Sequence, residues 1–405
     1  MALSRGHDPE GSSRVGLSLG MDLFFQAMNP SNQGEDPTPY GRAWVEINPA
    51  ALQTNLDAVR DSVGPDVRVV PMVKADAYGL GVEQAVAILE GSAPSAYGVA
   101  TVDEGVQLLA LGIERPVMVY SPVPPGQVRQ GVEQGLVLSV SSAAEAEAVG
   151  RAASGPAAPV QVDIDTGMGR AGLPAHEVGT WWPALRDDPR LSVVGVWTHL
   201  HSADEADLAS GRAQIALFEE ACGRLDGLDP GALIHVANSA GSLRLACSGA
   251  NAVRPGYFLY GGHVGEGTPP PEAVVSLRAR VALVREVAEG TTLGYGATYR
   301  AGGTERWASV AIGYGDGLPW ALGNRGRALV RGRSVPIIGR ISMDSTVVDV
   351  SDLDALAAGE AVTFIGSDGG AHIALDEVAR VAGTIGYEIL TGLSPRLPRV
   401  WDPLP

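Results

Sequence analysis

Eight short runs rich in Val and Ile recur along the first two thirds of the chain, and they constrain its fold most strongly. They read VRVVPMV, AYGVAT, PVMVYS, LVLSVS, VQVDID, VVGVWTH, LIHVAN and NAVRPG. Helix-like stretches such as VEQAVAILEG, VDEGVQLLALG and SAAEAEAVGRA separate the earlier runs. Alternating β and α segments are typical of a parallel sheet, and eight strands are the number that closes a (β/α)8 barrel. An open doubly wound sheet remains the alternative, since strand counts from one sequence are imprecise.

A second rhythm begins after about Pro270, where helix-like stretches become rare. Strand-like runs follow one another through Gly-containing turns, as in VVSLRARVALVREV, WASVAIGYGDG, GRALVRGRSVPIIGRISMDSTVVDV and EAVTFIGS. Residues 1–40 differ again, because they are rich in Gly, Ser, Pro and Asn and cannot bury much apolar surface. The sequence thus predicts a disordered tail at 1–40, a (β/α)8 barrel domain at 41–272 and a mainly β C-terminal domain at 273–405.

Composition narrows the classes of partner. The 405 residues are 45% hydrophobic and 19% charged, and their net charge of −17 argues against binding to nucleic acid or to an anionic membrane surface. No run of about 18 uninterrupted apolar residues occurs, so no transmembrane helix is predicted. Cys222 and Cys247 have no metal-type spacing and fit a reducing cytoplasm. A small-molecule partner and a cytoplasmic location are therefore expected.

Polar side chains recur at the ends of the predicted strands. In a barrel of this type the chemistry gathers at the C-terminal ends of the strands. Five of the eight runs end in such residues, namely Lys74 after the first, Asp163 and Asp165 with Arg170 beyond the fifth, His199 and His201 after the sixth, His235 and Asn238 after the seventh, and Arg254 after the eighth. One such residue alone would be read as a satisfied polar group, but five coinciding strand ends predict a functional site.

Lys74 ends an apolar run, where a charged ammonium is costly to bury. The lysine is either paired with a carboxylate or held uncharged as a Schiff base with an aldehyde. A Schiff base to pyridoxal phosphate also needs a phosphate cradle and a partner for the pyridine nitrogen. The segment NSAGS offers Ser239 with backbone N–H groups, and RPGY offers Arg254 and Gly256.

Nine motifs between about Arg42 and Val400 carry a specific family likeness. They are MVKADAYGLG, DTGMGRAG, THLHSADE, HVANSAGSLR, VRPGYFLYG, GYGATYRA, AIGYGDG, GRISMD and YEILTGLSPRLPR. In combination they resemble the alanine racemases, which are pyridoxal phosphate enzymes built from a barrel and a β domain. The resemblance implies an isomerase that interconverts L-alanine and D-alanine, works as a homodimer and supplies D-alanine for peptidoglycan synthesis.

Racemisation breaks the bond between the α-carbon and its hydrogen on one face and restores it on the other, which favours two bases on opposite sides of the cofactor. Lys74 is the first base, and the resemblance makes Tyr295 of the partner subunit the second. It also implies that His199, His235 and Arg254 form a hydrogen-bonded chain that assists the tyrosine. Arginine can only donate, so Arg254 beside the pyridine nitrogen would leave that nitrogen unprotonated.

The resemblance implies the remaining roles residue by residue. It assigns cofactor binding to Lys74, Tyr78, His199, Asn238, Ser239, Arg254, Gly256, Tyr257 and Tyr387, substrate binding to Arg170 and Met343, and supporting roles to Asp163, His235, Tyr314 and Asp344. In the family's pattern a tyrosine at position 387 leaves room for a methyl side chain, so alanine is expected to be preferred to serine. No metal ligand is predicted.

Two positions depart from the family's pattern. Many relatives carry a lysine, modified to a carbamate, where this chain has Asp163, two residues before Asp165 on the same strand face. We hypothesise that Asp163 replaces the carbamate as the acceptor that positions Arg170, with a bridging water to compensate for its shorter side chain. Tyr257 is bulkier than the aliphatic residue common at its position.

Other functions compete for some of these motifs. GMGRAG matches GxGxxG, but the helix and the acidic residue that a dinucleotide site needs do not follow it convincingly. His199 and His201 would share a strand face, as in metal hydrolases built on barrels. Proteins that carry pyridoxal phosphate without catalysis resemble the barrel alone. Related decarboxylases place a cysteine opposite the lysine, and residues 273–405 contain none.

Overall fold

The computed structural model describes residues 41–245 and 249–401, so the predicted tail at 1–40 and Cys247 lie outside the described residues. The strands are β1 (Ala43–Ile47), β2 (Arg68–Val69), β3 (Tyr97–Val99), β4 (Val117–Val119), β5 (Val137–Val140), β6 (Ala158–Asp165), β7 (Leu173–Pro174), β8 (Leu191–Trp197), β9 (Leu233–His235), β10 (Ala252–Val253), β11 (Val275–Val287), β12 (Thr292–Leu293), β13 (Tyr299–Arg300), β14 (Glu305–Val310), β15 (Arg327–Val330), β16 (Arg333–Ile338), β17 (Thr346–Asp349), β18 (Ala361–Asp368), β19 (Ala371–Ile373) and β20 (Arg399–Trp401).

The right-handed helices follow in chain order. They are α1 (Pro49–Val63), α2 (Val82–Glu90), α3 (Val102–Ala110), α4 (Pro125–Glu133), α5 (Ala143–Ala152), α6 (Val178–Arg186), α7 (Ala209–Cys222), α8 (Ser239–Arg244), α9 (Leu375–Ala382) and α10 (Gly386–Thr391). Single 3-10 turns lie at Ala175–Glu177, Tyr257–Tyr260, Tyr295–Ala297, Tyr314–Asp316 and Trp320–Leu322. In the described part of the chain, every helix is too short or too polar to cross a bilayer.

Eight parallel strands form the first sheet, in the order β2, β10, β9, β8, β6, β5, β4, β3. A parallel bridge between Met72 and Gly98 joins its two outer members, because Met72 follows β2 and Gly98 lies in β3. The sheet is therefore closed on itself. Each of the eight predicted runs supplies one strand, and three of the helix-like stretches form α2, α3 and α5. The (β/α)8 prediction is confirmed, and the open sheet is excluded.

The helix after β3 begins at a local signal that also serves the site. The Thr101 hydroxyl accepts a hydrogen bond from the Glu104 N–H at 3.2 Å, and the Glu104 carboxylate accepts one from the Thr101 N–H at 3.2 Å. This reciprocal capping box satisfies two N–H groups that a helix start leaves unpaired. It also fixes the Glu104 carboxylate at the C-terminal edge of the barrel.

The second main sheet is largely antiparallel and contains a closed ring of strands. In the order β11, β14, β17, β16, β15, β18, each strand pairs with the next, and β18 pairs back with β11. The 13 residues of β11 alternate between buried and more exposed over their first half, as expected for a strand with one face on a core. The prediction of a mainly β C-terminal region is confirmed.

The first strand of the chain crosses between the two regions. β1 pairs antiparallel with β11 and parallel with β20, so Ala43–Ile47 belongs to the second sheet although it precedes the barrel. Val160 of the barrel and Val362 of the β region are fully buried in one continuous apolar core. The predicted division between residues 272 and 273 separates β1 from its partners β11 and β20. The division therefore stays a prediction.

Candidate active site

A cavity of about 120 Å3 opens at the C-terminal ends of the barrel strands. Its walls are formed by Met72, Lys74, Tyr78, Tyr120, Arg170, Trp197, His199, Asn238, Ser239, Arg254, Gly256, Tyr257 and Tyr387. Ten of these residues are predicted site residues, and the structure brings them together from five strand ends and from α10. This is the location that the chemistry of parallel barrels favours.

Lys74 begins a turn of left-handed helix over Lys74–Gly79. Four consecutive residues without glycine, Ala75 to Tyr78, have φ between 52° and 58°. A left-handed conformation costs about 1–2 kcal/mol for each such residue, because Cβ approaches the following carbonyl oxygen. The sequence analysis did not predict this turn, since KADAY contains no residue that prefers it.

Tertiary contacts hold this left-handed turn in place. The Glu104 carboxylate accepts hydrogen bonds from the Ala75 N–H at 2.8 Å and from the Ala100 N–H at 2.7 Å. The Asp76 carboxylate accepts one from the Val82 N–H at 2.7 Å. At the far end, the Arg399 guanidinium donates to the Gly79 carbonyl at 2.9 Å. Strain that persists at a site because the surroundings fix it is a feature of functional positions.

The amine of Lys74 makes no ion pair or side-chain hydrogen bond with any residue that the structure describes. Burial lowers its pKa, and the neighbouring Arg170 guanidinium lowers it further. Lys74 was expected either to pair with a carboxylate or to form a Schiff base. The surroundings of its amine do not provide the carboxylate. Lys74 is also the only lysine of the 405-residue sequence.

Arg254 is 3% exposed and lies on the floor of the cavity. Its guanidinium bonds to the His235 Nδ1 at 2.8 Å and to the His199 Nδ1 at 3.3 Å, and it donates to the Thr198 carbonyl at 2.8 Å. It also lies over the ring of Trp197, 5.2 Å from the ring centroid. These contacts fix the orientation of the guanidinium plane.

The two histidines beside Arg254 are neutral. Burial and the Arg254 charge lower the pKa of His199 to about 3, and the same causes lower the pKa of His235 well below its usual value. Because a guanidinium only donates, the Nδ1 atom of each ring acts as the acceptor, which places the ring hydrogen on Nε2. The Nε2 atom of His235 is buried without a partner among the described residues.

A second cluster in the cavity combines hydroxyl groups with backbone N–H groups. The Ser239 hydroxyl accepts from the Gly256 N–H at 2.8 Å and from the Phe258 N–H at 3.3 Å. Gly256 lies so close to Tyr78 that a Cβ at this position would be 2.2 Å from the Tyr78 hydroxyl. Hydroxyls and amides that converge without a carboxylate suit a phosphate group.

These two clusters fit pyridoxal phosphate. Lys74 would hold the aldehyde end, because its amine is unpaired and its pKa is lowered. The Ser239 and Tyr78 hydroxyls would hold the phosphate beside the Gly256 backbone, whose N–H donates to Ser239, and Arg254 is the donor available to the ring nitrogen. The glycine at position 256 is required by this packing, since any side chain there would meet Tyr78.

Asp163 lies beside the cavity and is buried. Burial raises the pKa of its carboxyl to about 6, although the Ser141 hydroxyl donates to it at 3.3 Å. No ion pair joins Asp163 to Arg170 among the described residues. Asp165 instead accepts from the Gly167 and Gly169 N–H groups at 2.9 and 3.1 Å and shapes the loop that carries Arg170.

Six of the sixteen predicted site residues do not line this cavity: the buried Asp163 and His235, and four residues of the β region. Tyr295, Met343 and Tyr314 are 71%, 52% and 45% exposed, and they belong to the β region. Asp344 is also exposed and bonds to the Arg396 guanidinium at 2.7 Å. In a single chain the structure does not bring these residues to Lys74.

The rival motifs have other surroundings. His199 and His201 follow the end of β8 rather than lying in it, and the His201 Nδ1 bonds to the Ser202 hydroxyl at the surface. Across 41–245 and 249–401, no group of three or more His, Cys, Asp or Glu side chains could hold a metal ion. GMGRAG forms a loop after β6, and no helix opens on its glycines.

The sequence analysis missed four contributors to the site. Met72, Tyr120 and Trp197 line the cavity, and Glu104 supports the left-handed turn. The three lining residues sit at or just beyond strand ends, where the sequence analysis singled out only ionisable side chains and an asparagine. Aromatic residues at the same strand ends are the signal that points to Tyr120 and Trp197.

Comparisons with known proteins agree on one family. The family model described as "Alanine racemase, N-terminal domain" matches residues 47–264, and "Alanine racemase, C-terminal domain" matches residues 274–401. An alanine racemase of Desulfosudis oleivorans is 37% identical over 380 residues, covering 89% of this chain and 96% of that protein.

Solved structures give the same result. An alanine racemase of Streptomyces coelicolor is 34% identical with a TM-score of 0.84, over 89% of this chain and 98% of that one. An alanine racemase of Bartonella henselae with covalently bound pyridoxal phosphate is 29% identical with a TM-score of 0.82, over 89% and 100%.

Proposed function

Since the chain belongs to the alanine racemase family, we propose that Lys74 and Tyr295 are the two bases with which it acts on alanine, each from a different subunit of a homodimer. The family makes the chain a pyridoxal phosphate enzyme that interconverts L-alanine and D-alanine. When bound, the cofactor withdraws electrons from the α-carbon and so acidifies its hydrogen.

Lys74 is the base of the barrel side. Its amine faces the cavity without a partner among the described residues, and burial lowers its pKa, which favours the uncharged form that can take up a proton. The left-handed turn fixes its backbone, so the amine approaches the α-carbon from one face only. Arg170, in the same wall, is the cation available to the substrate carboxylate, with the Met343 backbone as the second proposed contact.

Tyr295 is the base of the opposite face, and one observation carries this assignment. The cavity walls of a single chain contain Lys74 but not Tyr295, and the tyrosine is 71% exposed. Exposed Tyr314 and Met343 belong to the same region, which is the pattern expected of a surface that a second chain covers. Tyr295 of the partner subunit would then close the cavity over the amino acid.

Arg254 and the two neutral histidines support this arrangement. The Thr198 and His235 carbonyls hold the guanidinium in place, and because arginine has no acceptor it would only donate to the ring nitrogen of a bound cofactor. His199 lines the cavity and, with its hydrogen on Nε2, is the donor available to the phenol of the partner subunit. We assign His235 a supporting place behind Arg254.

Further roles follow from the family and from composition. Tyr387 narrows the cavity beside the substrate, so we propose that alanine is preferred to serine. We also propose that the enzyme is cytoplasmic and provides D-alanine for peptidoglycan.

Asp163 is proposed to act on Arg170 through a bridging water, in the place that a carbamate occupies in many relatives. A requirement for bicarbonate in the racemase assay would refute this.

Mixing two inactive variants tests the shared site. A Lys74→Ala chain lacks one base and a Tyr295→Phe chain lacks the other, but a mixed dimer contains one site with both bases intact. Random exchange of subunits should restore about a quarter of the parent activity, since half of the dimers are mixed and each has one complete site. If both bases came from the same chain, the mixture would remain as inactive as its components.

A further inference from the structure

Tyr257 is 3% exposed and lies between the barrel and the β region. Its hydroxyl donates to the Asp376 Oδ1 at 2.7 Å, and the Asp376 Oδ2 accepts from the His263 N–H at 3.0 Å. Asp376 is the second residue of α9, whereas Tyr257 and His263 follow β10. Both oxygens of one carboxylate thus join a β-region helix to the barrel segment that forms the cavity wall.

Two glycines make room for the ring of Tyr257. A Cβ on Gly262 would lie 2.1 Å from the ring, and a Cβ on Gly386 would lie 1.6 Å from the hydroxyl oxygen. Neither glycine has a positive φ, so their backbones do not require glycine. The two glycines lack the side chains that would overlap the Tyr257 ring, so the close packing around this ring depends on all three residues.

The ring of Tyr257 stacks directly on the ring of Tyr387. Their centroids are 3.9 Å apart and their planes differ by 14°. Tyr387 also meets the ring of Tyr78, at a centroid distance of 6.2 Å and an angle of 42°. Tyr387 is 40% exposed in α10 and makes no side-chain hydrogen bond with a described residue, so these two rings restrict its orientation.

We propose that Tyr257 and Asp376 are positioning residues that fix the ring of Tyr387 in the cavity wall and thereby limit the size of the amino-acid side chain that the racemase accepts. The inference rests on the proposed place of Tyr387 beside the substrate. An offset-stacked aromatic pair contributes about 0.5–1.5 kcal/mol beyond its buried area. The hydrogen bond from the Tyr257 hydroxyl to the Asp376 carboxylate restricts rotation of the Tyr257 ring beneath Tyr387. Without the clamp, Tyr387 can turn away and leave room for one more methylene.

Racemisation of L-alanine and of L-2-aminobutyrate, which is one methylene larger, measures the clamp. The holoenzymes to compare are the parent, Tyr257→Leu, Tyr257→Phe and Asp376→Ala. Tyr257→Leu removes the stacked ring and should raise kcat/KM for 2-aminobutyrate relative to alanine about tenfold, the effect of one methylene in a pocket. Tyr257→Phe and Asp376→Ala keep the ring and remove the anchor, so a shift of about threefold is expected. The KM for alanine should change more than kcat, because Lys74 and Tyr295 are untouched.

Tyr97→Phe is the matched control. Tyr97 is fully buried in β3, its hydroxyl donates to the Val86 carbonyl, and it does not line the cavity. Its loss tests whether removing any buried tyrosine hydroxyl alters the substrate ratio, and no change is expected. Tyr387→Ala removes the ring that is proposed to lie beside the substrate. It therefore tests the place of Tyr387 separately from the role of Tyr257 and Asp376.

The outcomes distinguish the clamp from the proposed function. If Tyr387→Ala changes the substrate ratio and all three clamp variants leave it at the parent value, the clamp is wrong while the place of Tyr387 stands. If Tyr387→Ala also leaves the ratio unchanged, Tyr387 does not face the substrate and both fail. Should Tyr257→Leu not fold, the ratios of Tyr257→Phe and Asp376→Ala decide, and equal losses for both substrates would overturn the clamp.

Discussion

Lys74 and Tyr295, the two proposed bases, lie in opposite surroundings. Lys74 lines a cavity with Arg170 and Tyr78, whereas Tyr295 is 71% exposed on a turn of the β region. The barrel therefore completes its half of the site within one chain. The β region carries Tyr295 at the surface, where a second chain is proposed to cover it. The proposed homodimer follows from this difference.

The backbones that carry the two bases differ as well. Gly294 and Gly296 flank Tyr295 with φ of 62° and 74°, values that glycine adopts without strain. After Lys74, the four residues with positive φ all have side chains. Glycines supply two of the three positive-φ positions around Tyr295, and Ala297 with φ of 46° is the third, whereas none of the four positions after Lys74 is a glycine. The barrel base is thus the more rigidly placed and the more dependent on distant residues.

Replacing the barrel base should have the largest effect. Lys74→Ala removes a base and the attachment point of the cofactor, so racemase activity should fall by about 10⁴-fold or more. Lys74→Arg is the control, because it keeps the charge but offers no amine. Intact mass after borohydride reduction should show one cofactor on the parent and none on either variant. Activity above one hundredth of the parent value in Lys74→Ala would contradict the assignment.

Replacing Tyr295, the exposed base, should reduce racemase activity less and should affect only one enantiomer. Tyr295→Phe removes a single proton donor and acceptor, so activity should fall about 10²- to 10³-fold. Exchange of the α-hydrogen with solvent, followed by NMR in D2O, should be lost for one enantiomer, and Lys74→Ala should lose it for the other. Tyr299→Phe is the control, because Tyr299 lies in β13 just after the Tyr295 turn and its hydroxyl is already bonded to Glu305 at 3.1 Å. Loss for the same enantiomer in both variants would end the two-base proposal.

The support of the left-handed turn can be compared with the glycine turn. Glu104→Ala removes the acceptor of the Ala75, Ala100 and Thr101 N–H groups, so the free energy of unfolding should fall by about 3 kcal/mol and kcat about tenfold. Gly296→Ala adds one Cβ at φ 74° and should cost about 1 kcal/mol. Urea unfolding measures both. A Glu104→Ala variant as stable as the parent would mean that the turn after Lys74 does not depend on Glu104.

The last effect concerns the buried carboxyl of Asp163 on the barrel side, and it appears only above a certain pH. Burial raises the pKa of Asp163 to about 6, so the folded state binds its proton more tightly than the unfolded state. Its contribution to stability is therefore favourable at low pH and is lost as pH rises from about 4 to 6. Asp163→Asn should unfold like the parent at pH 4 but be up to about 3 kcal/mol more stable at pH 8. The same difference at both pH values would contradict the raised pKa.

Local patterns of the sequence were sufficient for the strands of the barrel and for much of the site. The eight apolar runs became the eight strands, and Lys74, Arg170, His199 and Arg254 meet in one cavity because parallel strands end at the same edge. Lys74 was expected at a strand end, and it lies just beyond one. Such features repeat over a few residues, so they can be read without knowing the rest of the chain.

Long-range contacts decided the remainder. The pairing of β1 with β11 joins residues more than 200 positions apart, and the bond from Tyr257 to Asp376 spans 119. The left-handed turn after Lys74 opposes the local preference of its residues and depends on Glu104. The sequence by itself determined the barrel and its lysine, because periodicity is local. Only the tertiary structure decided how that lysine is held and how Tyr257 and Asp376 join the barrel to the β region, because these are properties of contacts between segments distant in sequence.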